Sequence, residues 1–325
     1  MFKNILHREN GAAAVVAAIA FTAMLAVCGL VIDLGSAYIQ ESTTQNTADA
    51  AAYAGATILP AAVDDDEQIQ LVKDTVKEYV IKNGFNEECI ETVELEDIYD
   101  GNYYGVRVKL KKEVSYGFGS IIGVDATTVK KIAKVKLDPV TSSTSVAPLG
   151  IEVSRLSQAM EENQCQHIVI KYGSGDSTEG FFGALDLDGM QGGGAQDFAS
   201  WLAFGYNGVL NVGDILPIEP GNMATPTYDA FTTRFNQCTH YIGSGGCTAE
   251  HFEADCPRVV TLIVYNFIDS KNIEVVGFIS FVLEGINEDG EIIASRVTLQ
   301  TDEGDTDGNL GGINDYGIYR ARLVE

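Results

Sequence analysis

Residues 11–32 read GAAAVVAAIAFTAMLAVCGLVI, an apolar run of about 22 residues without a single charge. As an α-helix, such a run is long enough to cross the hydrocarbon core of a bilayer. Residues 33–59 then read DLGSAYIQESTTQNTADAAAYAGATIL, polar and alanine-rich, and the first proline of the chain is Pro60. Nothing between Ala12 and Leu59 forces a break, and alanine is the best helix former. The reading is one continuous helix, roughly 70 Å long at 1.5 Å per residue. Its first half sits in lipid, and its second half stands out of the membrane as a stalk.

The stalk half has a pattern of its own. Tyr38, Ala48, Ala51, Ala52, Gly55 and Ala56 fall at helical spacings and form a stripe that lets another backbone approach closely, while Gln45, Asn46 and Asp49 lie on the other faces. Such a stripe suits packing on the chain's own domain, and it also suits packing on other helices in an assembly.

The order R-x-x-G, apolar run, V-I-D-L-G and Q-N-T-A-D-A-A-A-Y-A-G-A resembles the N-terminal region of TadE/TadG-like proteins of the Tad (Flp) pilus-assembly machinery. Arg8, Gly11, Asp33, Gly35, Gln45, Asn46, Ala48, Asp49, Ala50, Ala51, Ala52, Gly55 and Ala56 occupy the matching positions. Further on, FGALDLDGMQGGGAQDF, NGVLNVGDILPIEPGNMATPT, and CPRVV followed by EVVGFISFVLEG are similar to the outer domain of TadG-like proteins from Gram-positive lineages. The resemblance implies a minor pilin or pseudopilin-like scaffold of a pilus or secretion apparatus. Its partners would be the membrane and other apparatus proteins or like subunits, met through the N-terminal helix.

Composition limits the alternatives. The chain has 325 residues, 46% of them hydrophobic, with 46 acidic against 21 basic residues and a formal net charge of −25. That charge argues against nucleic acid, whose phosphates it would repel. The apolar run exceeds a signal-peptide core and lacks a small-x-small cleavage site at its end. Type IV pilin processing calls for a glutamate near the fifth position after Gly11, where Val16 stands. The span is therefore expected to be retained. Lys3 and Arg8 precede it while Asp33 and Glu41 follow, so the N-terminus is expected in the cytoplasm and the bulk outside.

Beyond the helix the expected class is α+β. Residues 1–60 form the cytoplasmic tip, span and stalk; 61–139 a small α+β domain; 140–148 (VTSSTSVAP) a linker; and 149–325 a mostly-β outer domain. In the small domain, Ile69, Val72, Val76, Tyr79 and Val80 mark a helix face that Asn83-Gly84 stops. Tyr104, Val106, Val108 and Leu110 then mark one face of a strand, and a short helix around 118–122 ends at Gly123. In the outer domain HIVIKY, RVVTLIVYNF, IEVVGFISFVLEG and EIIASRVTLQ read as strands, 195–204 as a helix, and 220–223 as a turn.

Candidate chemistry is sparse. Cys28 lies in the span; Cys89, Cys165, Cys238, Cys247 and Cys256 lie beyond it, an odd number, so at least one is unpaired within the chain. Cys165 and Cys256 open similar strands, which pairs them if those strands are parallel neighbours, and leaves Cys238 with Cys247. The rival is zinc, because Cys238, His240, Cys247, His251 and Cys256 place soft ligands within a short span, in a spacing that matches none of the standard fingers. At Asp302, Asp305 and Asp307, and at Asp186 and Asp188, acidic solvated loops and no metal site are expected; calcium is the weaker alternative, since neither loop completes the usual pattern of oxygen ligands. No nucleophile elbow, HExxH helix or phosphate loop occurs, and no catalytic residue, cofactor or enzymatic activity is expected. A second reading is a membrane-anchored surface protein whose β domain grips carbohydrate, calcium or an envelope polymer.

Overall fold

A computed structural model describes residues 9–161, 165–170, 183–189, 194–219, 224–286, 292–308, 310 and 315–324. The fold is α+β. The chain divides into two compact units, Met1–Lys136 with Leu323–Glu325, and Leu137–Arg322. The turn expected at 220–223 lies outside the described residues.

The first unit is built on α1 (Glu9–Ala56), one unbroken helix of 48 residues. It is long and apolar enough to cross a membrane. Its large side chains between Val15 and Ile32 are exposed. From Thr44 onward one face is buried, through Thr47, Ala48, Ala51, Ala52, Ala54 and Ala56. That face packs on α2 (Asp66–Lys82) and on strand β3 (Asn102–Ser115). The stripe therefore serves the chain's own body. Tyr38 is not part of it, being 73% exposed.

Gly55 marks the crossing with α2. A Cβ there would lie 2.6 Å from Val76 Cγ2 and 3.6 Å from Val106 Cγ2, so the helices approach to a distance that only glycine permits. Helix α2 forms where expected. Asp65 caps it by accepting from the Gln68 amide, Asp66 and Glu67 fill its first turn, and Val72, Val76 and Val80 are its buried face. Acidic groups at a helix N-terminus meet the positive end of its dipole.

Strands β1 (Ala61–Ala62), β2 (Ile90–Tyr99), β3 and β4 (Ala126–Pro139) complete the unit. β3 pairs antiparallel with β2 along one edge and with β1 and β4 along the other. Asp100 and Gly101, both with positive φ, make the β2–β3 turn, the backbone that a tight hairpin demands. Tyr104, Val106, Val108 and Leu110 on β3, with Ala133 and Val135 on β4, face the core. On the other face Arg107 pairs with Glu96, and Lys134 with Glu96 and Asp97. The Arg107 hydrogen bond holds the Glu96 carboxyl below its ordinary value.

The second unit holds β5 (Ser142–Ser143), β6 (Leu149–Glu152), β7 (Ile168–Ile170), β8 (Gly183–Ala184), β9 (Leu210–Asn211), β10 (Ile215–Pro217), β11 (Val259–Phe267), β12 (Asn272–Ile286), β13 (Ile292–Val297), β14 (Leu299–Gln300) and β15 (Ile318–Leu323). The β11–β12 hairpin is its axis, and the sheet runs β7-β13-β12-β11-β6-β8 with β10 also on β12. β6 runs parallel to β11.

Both faces of this sheet are covered, so the middles of β11 and β12 are mostly apolar on both faces rather than alternating. Leu262, Val264, Ile279 and Phe281 pack with Phe198, Leu202 and Phe231. Ile263, Tyr265, Val275 and Phe278 pack with Leu185, Leu187, Leu210 and Leu216. The helices are α3 (Val153–Glu161), α4 (Gly194–Phe204) and α5 (Ala224–Gln237). Of these only α4 was expected, with Phe198, Leu202 and Ala203 buried as read; the unit is mixed rather than mostly β.

The segment 140–148 is not a free linker. Val140, Val146 and Ala147 are buried, and the amides of Ser145 and Ala147 donate to Tyr206 and Thr261 carbonyls. Its valines and alanine supply apolar surface that the serine and threonine content conceals.

Because Gly55 has no room for a side chain, Gly55→Leu should destabilise the first unit by about 1–3 kcal/mol through overpacking. Chemical denaturation of the detergent-solubilised chain checks this: unchanged stability would mean that α1 and α2 are not in close contact.

Candidate functional site

Two constellations stand out, one on the long helix and one in the cysteine-rich loop. The first begins at Gly29 and Asp33, one turn apart on the same face of α1. Asp33 follows directly on the apolar run and is buried. The amides of Gly117 and Phe118 donate to its Oδ1 at 2.8 and 3.3 Å. Those of Phe118 and Gly119 donate to its Oδ2 at 2.9 and 2.6 Å.

These amides open the 3-10 turn Gly119–Ile122 that joins β3 to β4, and Gly123 with φ 84° closes that turn. Successive N–H groups in a turn form a concavity for an anion, and here the anion is the helix's own aspartate. Gly29 completes the fit, since a Cβ there would lie 2.7 Å from Phe118 Cγ. The helix thus lacks a side chain where the Phe118 ring lies and carries a carboxylate where the amides point. Beyond the clamp, the turn presents Ile121 and Ile122, 80% and 78% exposed. Residues 114–124 carry no charge.

The other residues of the stalk pattern divide. Gln45 donates to Asp49 Oδ1 at 2.7 Å and to the Ile132 carbonyl of β4 at 3.1 Å. Ala48, Ala52 and Gly55 are buried against the unit. Gly35 and Asn46 are exposed, and a Cβ on Gly35 would touch nothing within 4 Å.

The second constellation is a set of soft ligands. Cys238 follows α5 directly. Tyr241, Gly245 and Gly246, all with positive φ, turn the chain around the short helix Ile242–Ser244 and bring Cys247 back. Cys256 lies three residues before β11. One ligand atom from each of Cys238, His240, Cys247 and Cys256 lies within 4.8 Å of all the others. Sγ of Cys256 is 3.5 Å from Sγ of Cys238, which is 4.0 Å from Sγ of Cys247.

Burial pushes the Cys238 thiol up, but hydrogen bonds at the Cys247 and His240 backbone and from Cys256, with the Arg258 charge, reverse this and bring it down to about 7. Burial, reinforced by the two neighbouring thiols, pushes Cys256 up to about 12.

Cys165 lies elsewhere, in the core with Leu156, Phe231 and Leu283. The pairing of Cys165 with Cys256 assumed that their strands are parallel neighbours. β7 instead pairs antiparallel with β13, and β11 lies between β12 and β6, so no shared edge brings these two thiols together. His251 is exposed, stacked edge-on against Tyr241, and stands apart from the ligand set.

The acidic candidates do not converge. Asp302, Asp305 and Asp307 are exposed, and Asp305 is tied by its amide to Ser142; among the described residues they form no ligand group. Asp186 lies near Asp188, and both burial and that neighbour raise its carboxyl above the ordinary range.

Sequence reading identified Asp33 only as a motif residue and did not single out Gly29. Their partner, residues 117–119, is about 85 positions away, and the one local signal was the Tyr-Gly-Phe-Gly run. Arg258 was also missed: its amide donates to Cys256 Sγ at 3.4 Å and its guanidinium to the Cys247 carbonyl at 3.4 Å.

Removing the carboxylate takes the shared charged acceptor from the amides of Gly117, Phe118 and Gly119, and a hydrogen bond to a charged group contributes roughly 1.5–3 kcal/mol. Asp33→Ala should therefore release the turn at 117–123 to limited proteolysis while the chain remains membrane-inserted. A turn as protected as in the unsubstituted chain would show that Asp33 does not hold it.

The family model described as "Putative Flp pilus-assembly TadE/G-like" (Tad) matches residues 11–57. No curated protein and no solved structure matches the chain.

Proposed function

We propose that this chain is a single-pass, non-enzymatic scaffold of a Tad/Flp-type pilus-assembly or secretion apparatus, in the manner of a minor pilin or pseudopilin. One observation carries the reading: the matched residues 11–57 coincide with α1, Glu9–Ala56. The Tad-like part of the chain is thus one mechanical object. Through Asp33, Gln45 and Gly55 that object is fixed to the first unit by hydrogen bonds and close packing.

A tethered enzyme needs only a span and a flexible linker. Here the span is clamped at the point where the apolar run ends, so a displacement of the helix in the membrane displaces the unit with it. Lys3 and Arg8 favour a cytoplasmic N-terminus and an extracytoplasmic body. Because Ala48, Ala52 and Gly55 are already buried, the helix surface offered to apparatus partners is the part between Val15 and Tyr38 that the turn at 117–119 does not cover. Deleting the gene should abolish or reduce pili, and a photocrosslinker at Met24 or Val31 should capture a pilin or another Tad subunit. Normal pili in the deletion strain would overturn the reading.

The turn at 119–122 belongs to the same membrane face. Phe118 lies on Gly29, within the apolar run, so Ile121 and Ile122 sit at the level of the lipid boundary and enter it beside the helix. Amphipathic aromatic residues such as Tyr116 suit that boundary. In proteoliposomes, fluorescence of an Ile122→Trp variant should be quenched by lipids spin-labelled near the headgroup, over and above the signal of Trp201. Quenching only by an aqueous agent would place the turn in water.

A further inference from the structure

We propose that Cys238, His240, Cys247 and Cys256 bind one zinc ion in a closed, structural Cys3His site. Three observations converge on this. First, the ligand atoms of all four residues surround one point, within 4.8 Å of one another. A tetrahedron with Zn–S bonds of about 2.3 Å has edges of about 3.8 Å, and the Sγ atoms of Cys256 and Cys247 lie 3.5 and 4.0 Å from that of Cys238.

Second, Nδ1 of His240 is buried without a hydrogen-bond partner. A buried imidazole nitrogen left unpaired costs free energy, and coordination would satisfy it. A disulfide would join two of the thiols, leave the third alone, and do nothing for His240.

Third, the surroundings fit a metal site rather than a reactive thiol. Val282 and Val297, with Phe252 and Val259 partly buried, pack around Cys247 and Cys256, and His240 fills the fourth position. Zinc with three thiolates carries one net negative charge, and the Arg258 guanidinium lies against the Cys247 carbonyl to offset it. The Arg258 amide donates to Cys256 Sγ, the kind of outer contact that orients a ligand. Binding releases to solvent the protons that the three thiols still carry, and no redox partner is required. Zinc is favoured over softer or redox-active ions because a tetrahedral sulfur–nitrogen set with four protein ligands is its usual structural site.

The site would fasten the loop between α5 and β11, whose regular structure is limited to the short helix Ile242–Ser244 and the Thr248–His251 bridge. The test uses the full chain in detergent, purified without chelator or a polyhistidine tag. Elemental analysis should find about one zinc per chain, falling to near zero in Cys247→Ser and His240→Gln and unchanged in Cys165→Ser and His251→Gln. In case the Cys247 variant fails to fold, cobalt exchanged into the unsubstituted chain should show thiolate-to-cobalt charge transfer and intense tetrahedral d–d bands. Metal-free chains without those bands would overturn the proposal, as would non-reduced peptides joining any two of Cys238, Cys247 and Cys256.

Discussion

The Asp33 carboxylate is where α1 passes from an uncharged apolar run, long enough to cross a membrane, to a helix held against protein. Between Ala13 and Ile32 the helix carries no charged side chain; from Thr44 onward it buries a face of alanine and threonine against protein. A carboxylate next to hydrocarbon would be unfavourable if left bare. Four amide contacts from residues 117–119 neutralise that cost, because charge-assisted hydrogen bonds are the strong ones. The same contacts hold the β3–β4 turn to the helix, and the paired β3 and β4 then position the sheet face on which Ala48, Ala52 and Gly55 lie. Alanine contributes little apolar area per residue. What it and Gly55 provide is proximity, which turns a long helix into the core element of a small α+β unit.

The second unit solves a different problem. The middles of β11 and β12 are mostly apolar on both faces and so must be covered twice. Helices α4 and α5 cover one side. Arg234 on α5 helps to fix them: it is buried, and its guanidinium donates to the carbonyls of Leu202, in the last turn of α4, and Pro257, just before β11. Burial brings its pKa down to about 10, which still leaves it charged in neutral solution. One cation thus ties two helices to the start of the central hairpin, and the cysteine-rich loop is anchored at both ends by that arrangement.

Elements whose signal is local were legible in the sequence. The long helix, α2, the long strands and α4 all follow from run length or periodicity. α5 was not legible, because ATPTYDAFTTRFNQ is rich in threonine and aromatic residues with modest helix propensity, and packing of Ala230 and Phe231 against α4 and the sheet decides it. The segment 140–148 misled for the converse reason: serine and threonine look like linker, while Val146 and Ala147 are fully buried. At the sites, residue identities were readable but partners were not. Asp33 meets amides rather than side chains, and backbone amides leave no trace in composition. The cysteine pairing rested on which strands are neighbours, a property of topology, whereas the grouping of Cys238, His240, Cys247 and Cys256 depends on a loop that three positive-φ residues fold back on itself.

The charge balance explains where the scarce cations lie. With 46 acidic and 21 basic residues, the chain repels itself, and such repulsion works against compactness. A surface lysine facing one carboxylate in water relieves little of this. Several cations instead sit where one of them meets more than one acceptor or a buried one. Lys134 bridges Glu96 and Asp97, Arg322 meets the fully buried Asp138, Arg234 joins two carbonyls, and Arg258 faces the thiols. Each lies at a junction between elements that are distant in sequence. The acidic excess remains largely at the surface, where it favours solubility.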